Sequence, residues 1–340
     1  MIKVAIVIAS FLVAQALLPG LHAQTSFPVP GTPKGDLPTE LLQCRTFCRG
    51  MERQLDNLEK KFPSLRVNVV AARASWLSSP FAGGCDAIEK DIVDKAGKAG
   101  RKMLDELDAG AWAMAKEHAT ISTLAGAREF LQLVDDRAKG GIEVDMVRAN
   151  LLWNYPQYQV APEKEVVAGF VRKITHAPVA ELEATLQVPM SWKAEDTAAK
   201  KELLSFRNQF AHGNVWMTVL VSPAIDGLGN SVTGLELFEN YSEDGLRSEY
   251  EKLGIKLNSF SKTKVNGLPA LMFTRTQTYE QLGQRALRAA EVIRVFKGNS
   301  MISLQINTLG PEGEAIAEAR IKKYQPLFRM IGASLRVEEK

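Results

Sequence analysis

Apolar residues recur at three- and four-residue steps through the first half of the chain and at every second position through the second. Phe47, Met51, Leu55, Leu58 and Phe62 hold the helical spacing, and Leu65, Val69, Ala72 and Trp76 resume it after Pro63-Ser64. That pattern predicts a helical hairpin over 38–76. After the turn Ser79-Pro-Phe-Ala-Gly-Gly84, a third helix is marked by Ile88, Ile92, Ala99, Met103 and Leu107, with Lys90, Lys95, Asp105 and Glu106 on its outer face. Phe130, Leu131 and Val134 mark a fourth over 124–138, which Lys139-Gly140-Gly141 stops. Shorter helices are expected over 144–152 and 162–173.

The period then changes to two. Residues 182–188 alternate ahead of Pro189, and 206–210 reads as a short strand. In Gly213-Asn-Val-Trp-Met-Thr-Val-Leu-Val-Ser222, Val215, Met217, Val219 and Val221 share one face, while Trp216, Thr218 and Leu220 share the other. Such a strand needs cover on both sides. A helix is expected over 235–253, broken near Asp244-Gly245 and ended by Gly254. Asn266-Gly267 between two alternating runs is the strongest hairpin signal, and Lys297-Gly-Asn-Ser300 joins a second pair of strands. A closing helix runs through Ile321, Tyr324, Phe328 and Ile331, with Pro326 expected to kink it or to begin its last segment.

The N-terminus adds a compartment. Met1-Ile-Lys3 is followed by an apolar run to Leu18, by Pro19-Gly20, and by the small-residue site Leu21-His-Ala23. Residues 1–23 are expected to be a cleaved secretory signal peptide, shorter than a membrane span. Gln24 stands where a lipoprotein has Cys, so the mature chain is expected in the periplasm or outside the cell. A proline- and glycine-rich linker, 24–37, follows. The chain has 340 residues, 46% of them hydrophobic and 24% charged, with a net charge of +3. That mixed balance gives no reason to expect nucleic acid as a partner. No segment after the signal is apolar enough to span a membrane.

Export changes how the three cysteines read. One disulfide is expected in an oxidising compartment, with Cys85 pairing to Cys44 or to Cys48, which lie one helical turn apart. Cys44 has the edge, because it lies on the line through Met51, Leu55 and Phe62; Cys48 is the competing partner.

The order of the second half carries a family resemblance. A strand runs into Val188-Pro189-Met190-Ser191-Trp192, then come a long strand, a helix, glycine-centred hairpins, and a last helix ending Phe328-x-x-Ile331-x-x-Ser334-Leu335. Together these resemble the PsbP/Mog1-like α/β/α sandwich over about 182–337. Upstream, Phe130-Leu-x-x-Val134-x-x-Arg137-Ala-Lys139-Gly140-x-Ile142 and Asn154-Tyr-Pro156 are similar to a segment that precedes such domains in exported bacterial proteins. The implied class is α+β: a helical region over 38–175, then an antiparallel sheet sandwiched by helices over 176–340. Members of the fold act as assembly or binding proteins.

Candidate chemistry is sparse. His118, His176 and His212 have no His or Cys at ligand spacing, so neither a metal site nor a cofactor is expected. His212, at the mouth of the central strand, is the one histidine placed to face a ligand. Ser259-Phe-Ser-Lys262 matches a Ser-x-x-Lys pattern, but on a strand its ends face opposite ways. Asp226-Gly-Leu-Gly-Asn230 lacks the acids of a calcium loop and the lysine of a phosphate loop. Arg285, Arg288, Arg294 and Lys297 form a modest basic edge. The expectation is therefore a non-enzymatic exported protein that binds another envelope protein or a small ligand. The alternative is a periplasmic hydrolase whose site assembles only on folding.

Overall fold

The computed structural model describes residues 37–118, 121–141, 146–179, 182–195, 203–208, 213–226, 229–281, 284–311, 313 and 315–339. The expected signal peptide and most of the linker lie outside them, as does His212. The chain forms two compact units, 1–159 and 160–340. Among the described residues no helix is long and apolar enough to cross a membrane.

The first unit is helical: α1 (Leu37–Lys61), α2 (Arg66–Leu77), α3 (Pro80–His118), α4 (Leu124–Ala138) and α5 (Met146–Asn154), then a short α6 (Pro156–Val160). Pro63 ends the first by removing a backbone donor and starts a single 3₁₀ turn, Pro63–Leu65. Thr123 caps α4, its Oγ1 accepting from Gly126 N at 3.1 Å. The expected turn over 79–84 is instead the first turns of α3, which bends later, where Gly97 takes φ 55°.

Leu55 and Leu58 of α1, Val69 and Trp76 of α2, Phe81, Ile88 and Leu104 of α3 and Leu151 of α5 are fully buried. The Trp76 ring stacks on Phe81 at 6.3 Å and takes an edge contact from Phe47 at 6.0 Å. Arg45 is buried with them and is ion-paired to Glu89 and to Asp108, the latter at 3.2 Å. A charge that has lost its water needs such partners. α3 crosses α5 so closely that a Cβ on Gly84 would lie 2.0 Å from the Leu151 carbonyl oxygen.

The second unit begins earlier than residue 176. The helix expected over 162–173 shrinks to α7 (Glu163–Val167), because Gly169 at φ 86° turns the chain out of it. From there 171–179 becomes β1 (Val171–Val179), which pairs with β2 (Leu182–Pro189). With β10 (Arg336–Glu339) these make a three-stranded antiparallel sheet, ordered β1-β2-β10.

The larger sheet has seven antiparallel strands in the order β3-β4-β5-β9-β8-β7-β6. They are β3 (Lys193–Glu195), β4 (Leu203–Arg207), β5 (Val215–Pro223), β6 (Ile255–Val265), β7 (Leu268–Gln281), β8 (Gln284–Lys297) and β9 (Ser300–Pro311). β4 lies slightly ahead of the expected 206–210. Asn266 and Gly267 take φ 51° and 81°, as a two-residue turn matching the strand twist requires.

Val215, Met217, Val219 and Val221 pair with Thr308, Ile306, Leu304 and Ile302 and are buried beneath α10 (Ile316–Ser334), which runs through Pro326. On the opposite face, α8 (Gly234–Asn240) and α9 (Glu243–Glu251) cover one end, packing Leu237, Leu246 and Tyr250 on Leu271, Phe273, Val292 and Phe296. The break between them falls at Tyr241-Ser242, before Asp244-Gly245, because Ser242 caps the second helix and accepts from Gly245 N at 3.1 Å. The unit is thus a sheet between helices, and the chain is α+β.

A buried polar seam pins the start of β5. Asn208 Nδ2 donates to the Tyr324 hydroxyl at 3.0 Å and Val215 N donates to Asn208 Oδ1 at 3.2 Å. A Cβ on Gly213 would sit 1.7 Å from that same oxygen. The Tyr324 ring meets Trp192 edge-on at 6.1 Å, and burial holds its phenol well above the ordinary tyrosine range. Beneath the turn after β2, the Glu165 carboxylate accepts from Ser191 N at 2.7 Å and from Ser191 Oγ at 2.6 Å. Desolvation dominates there. It raises the Glu165 carboxyl from 4.5 to about 7, against the hydrogen bonds from Ser191 and the field of Arg172.

Two outcomes are expected. Gly84→Ala loses about 2 kcal/mol or more of stability, read as a lowered urea midpoint, because the obstruction is backbone and cannot rotate away. Glu165 takes up a proton in the folded chain at pH values where the unfolded chain has already lost it. Its contribution is therefore complete below about 4.5 and falls away as pH rises to about 7. In urea titrations across that window, Glu165→Gln removes a loss on the order of 3 kcal/mol; parallel wild-type and variant curves would refute the assignment.

Candidate functional site

Strand register assembles the most organised polar surface of the second unit. Beyond the cover of α8 and α9, the same sheet face carries Trp216 and Thr218 of β5, opposite Asn307 and Gln305 of β9. Arg288 of β8 and Arg275 of β7 share this face, since Arg275 pairs with Ala290 and Gln277 with Arg288. At the other side stand Arg207 and Ser205 of β4, opposite Trp216 and Thr218, and Glu195 of β3, opposite Ser205. Alternation along each strand places these side chains together.

The Trp216 ring is flanked by two guanidiniums, Arg207 at 5.2 Å and Arg288 at 5.4 Å from its centroid. Arg207 is held by Glu195, its Nε donating to Oε1 at 2.6 Å, and by the Gly213 carbonyl at 3.2 Å. Ser205 Oγ donates to the second Glu195 oxygen at 2.7 Å. Arg288 donates from Nε and Nη2 to Asn307 Oδ1 at 3.0 and 2.7 Å, and Gln305 Nε2 donates to the same oxygen. Arg275 Nη2 donates to Gln305 Oε1 at 3.1 Å, and its guanidinium lies 5.3 Å from the Tyr250 ring. Under the helices, Arg294 donates to the Tyr241 and Tyr250 hydroxyls, each at 3.1 Å.

Arg275 and Arg294 donate to neutral oxygens. Among the described residues neither Arg275 nor Arg294 has a carboxylate within 4.0 Å. Burial lowers the Arg275 guanidinium from its ordinary value; Tyr250 raises it and Arg294 lowers it further. Arg275 Nε, Arg294 Nε and Asn307 Nδ2 are buried donors with no hydrogen-bond partner. Each such donor costs about 1–3 kcal/mol of lost hydration. A planar guanidinium fork fits carboxylate and phosphate oxygens.

The other residues singled out in the sequence do not join it. The Ser259 hydroxyl pairs with Thr274 Oγ1 at 2.7 Å, while Lys262 Nζ donates to the Glu239 carbonyl at 3.0 Å over the Phe238 ring. The two diverge, as strand period requires. Asp226 closes its own loop, accepting from Asn230 N at 2.8 Å and from Asn230 Nδ2 at 3.0 Å. His176 lies half-buried on β1. Among the described residues no three His, Cys, Asp or Glu side chains cluster so as to hold a metal.

Cys44, Cys48 and Cys85 are all buried, each as a thiol. Cys48 is hydrogen-bonded to Cys85, and burial and that neighbour push the Cys48 thiol well above its ordinary range. Cys44 Sγ instead donates to the Val147 carbonyl at 3.3 Å. The helical wheel ranks both α1 cysteines as inward but does not say toward which neighbour. α1 packs on α3 and on α5, and one turn of helix divides the cysteines between them.

The basic edge noted in the sequence also divides. Arg288 and Arg294 share the face that carries Trp216, Arg294 beneath the helices, whereas Arg285 and Lys297, an odd number of residues away, point to the other side, and Lys297 Nζ donates to Val337 O at 2.9 Å. Arg207, Arg275 and Asn307 carry no local signal and are found only through register.

No protein-family model matches the chain, and no curated protein does. Among solved structures it is similar to cyanobacterial PsbP from Synechocystis sp. PCC 6803, at 14% identity over 47% of this chain and 94% of that one, with a TM-score of 0.29. It is similar to LpqN, involved in cell envelope biogenesis of Mycobacterium tuberculosis, at 10% identity over 52% and 96%, with a TM-score of 0.32. It is also similar to the Ran-binding protein Mog1p of Saccharomyces cerevisiae, at 12% identity over 49% and 94%, with a TM-score of 0.33.

Proposed function

We propose that this is an exported protein that works by binding, holding another envelope protein or a small ligand against the half of its large sheet that α8 and α9 do not cover. The observation that carries the reading is the Arg207–Trp216–Arg288 stack, a rigid aromatic anchor on a central strand beside buried donors that lack partners. A strand-borne surface of this kind is held more firmly than one on loops. Export is supported by the N-terminal pattern of 1–23, and the helical first unit would serve as a brace. In an oxidising compartment Cys85 would join Cys48 or Cys44, the hydrogen bond between Cys48 and Cys85 supporting the former, two thiols giving one disulfide as their protons and electrons pass to a disulfide donor.

Two measurements test this. A photo-crosslinking side chain at the open face, Thr218→p-benzoylphenylalanine, is expected to give a discrete adduct in envelope fractions, and the same replacement of Lys264 on edge strand β6 none. Equal smears at both positions reject the surface. Peptide mapping of periplasmic protein without reduction is expected to show an N-terminus at Gln24 and a Cys48–Cys85 cross-linked pair. Three alkylatable thiols, or an intact Met1 in cytoplasmic protein, would contradict it.

A further inference from the structure

We infer that the outer surface shared by α2 and α4 in the helical unit is where a second copy of this chain docks, the two copies related by a two-fold axis that sets their α2 helices antiparallel.

The polar side chains of α2 are spent within the unit. Arg73 is ion-paired to Asp56 of α1 at 2.8 Å and to Glu59 at 3.3 Å, and Ser75 Oγ donates to Asp135 of α4 at 2.9 Å. Its outward ridge is Val67, Val70, Ala71, Ala74 and Leu77, all exposed, with the three large side chains 82, 53 and 59% accessible. No charged residue lies within that ridge. A helix apolar on its outer as well as its inner side belongs in a core or an interface. The other large exposed apolar residues, such as Val160, Val167 and Leu235, stand singly on separate elements, as is ordinary on a protein surface.

The ridge is complementary to itself. Reversed end for end about Ala72, it sets Val67 against the partner's Leu77 and Val70 against the partner's Ala74, large against small, with Ala71 beside the axis. The positive end of each helix then lies beside the negative end of the other.

α4 fits the same axis. Asn68, Ala71 and Ala72 of α2 line one groove with Arg128, Leu131 and Gln132 of α4. Together with the bond from Ser75 to Asp135, this runs the two helices side by side in one direction, with Gln132 level with Ala72. A two-fold passing Ala72 therefore also passes Gln132, and it brings Arg128 opposite the partner's Asp136, twice over. Charge thus favours a second copy over an unrelated apolar partner. A two-fold sets a surface against itself, which a patch of one sign resists, whereas here the centre is neutral and the flanking charges meet in opposite pairs.

α2 and α4 are 12 and 15 residues long, so they offer a surface roughly 20 Å on a side. That is at the small end of specific interfaces, below the about 2,000 Å² or more of permanent ones. The dimer is reversible.

The test is sedimentation velocity of the mature chain across roughly 1 to 300 µM, where the mass is expected to climb from one chain towards two. Val70→Glu and Leu77→Glu are each expected to raise the dissociation constant about tenfold or more, and Val167→Glu, exposed on α7, to leave it unchanged. Arg128→Glu should weaken the dimer, and Arg128→Glu with Asp136→Arg should restore it. Should a Glu variant of α2 alter the near-UV circular dichroism, that charge exchange on α4 decides alone.

A single-chain mass at every concentration overturns the inference, as does a dimer that Val70→Glu leaves intact or a charge exchange that restores nothing. Capture of a different protein, and not a second copy, by a photo-crosslinking side chain at Val70 would overturn it too, by marking the ridge as a heterologous interface.

Discussion

The pairing of β5 with β9, and of β9 with β8, decides what every other part of the second unit can be. Through it Val219 faces Leu304 under α10 while Trp216 faces Asn307 on the open side. A slip of one residue would exchange the two faces along the strand, sending valines to water and Trp216 into the core. Register is therefore specified by burial, and the surface chemistry follows from it. The polar seam reinforces the same setting at the strand's start, since Asn208 holds Val215 N and leaves Gly213 no room for a side chain.

The helical unit solves a different problem. Its apolar stripes pack Trp76, Phe81 and Leu151 into one core, yet Arg45, Glu89 and Asp108 are gathered beside them. A buried ion group of this sort adds little net stability over an apolar one, but losing a single member leaves charge stranded. Together with the tight crossing at Gly84, it makes α1, α3 and α5 depend on one another.

The helices of the first half were legible because their period is local: Met51, Leu55 and Leu58 announce the inward stripe of α1 without reference to anything distant. The Asn266-Gly267 turn was legible for the same reason. β1 was not, because Arg172-Lys173 between apolar neighbours imitates the outer face of a helix, and only Gly169 breaks the imitation. β3 and β10 are too short and too charged to announce themselves. Trp216, Thr218 and Leu220 were read as a face needing cover; helices supply part of it, and arginines from β4, β7 and β8 lie over the rest. That surface could not be read from the chain, since its members are scattered from Glu195 to Asn307 and meet only through register.

The position of β9 has a kinetic side. It lies between β5 and β8 although it is made near the end of the chain, so the sheet has no continuous middle until 300–311 has been synthesised. Until then the apolar strand at 215–223 has no partner on that flank, and β2 waits longer still for β10. Contacts this distant in sequence close slowly. The second unit thus stays open until β9 exists, a state in which a chaperone can hold it before it commits to its fold.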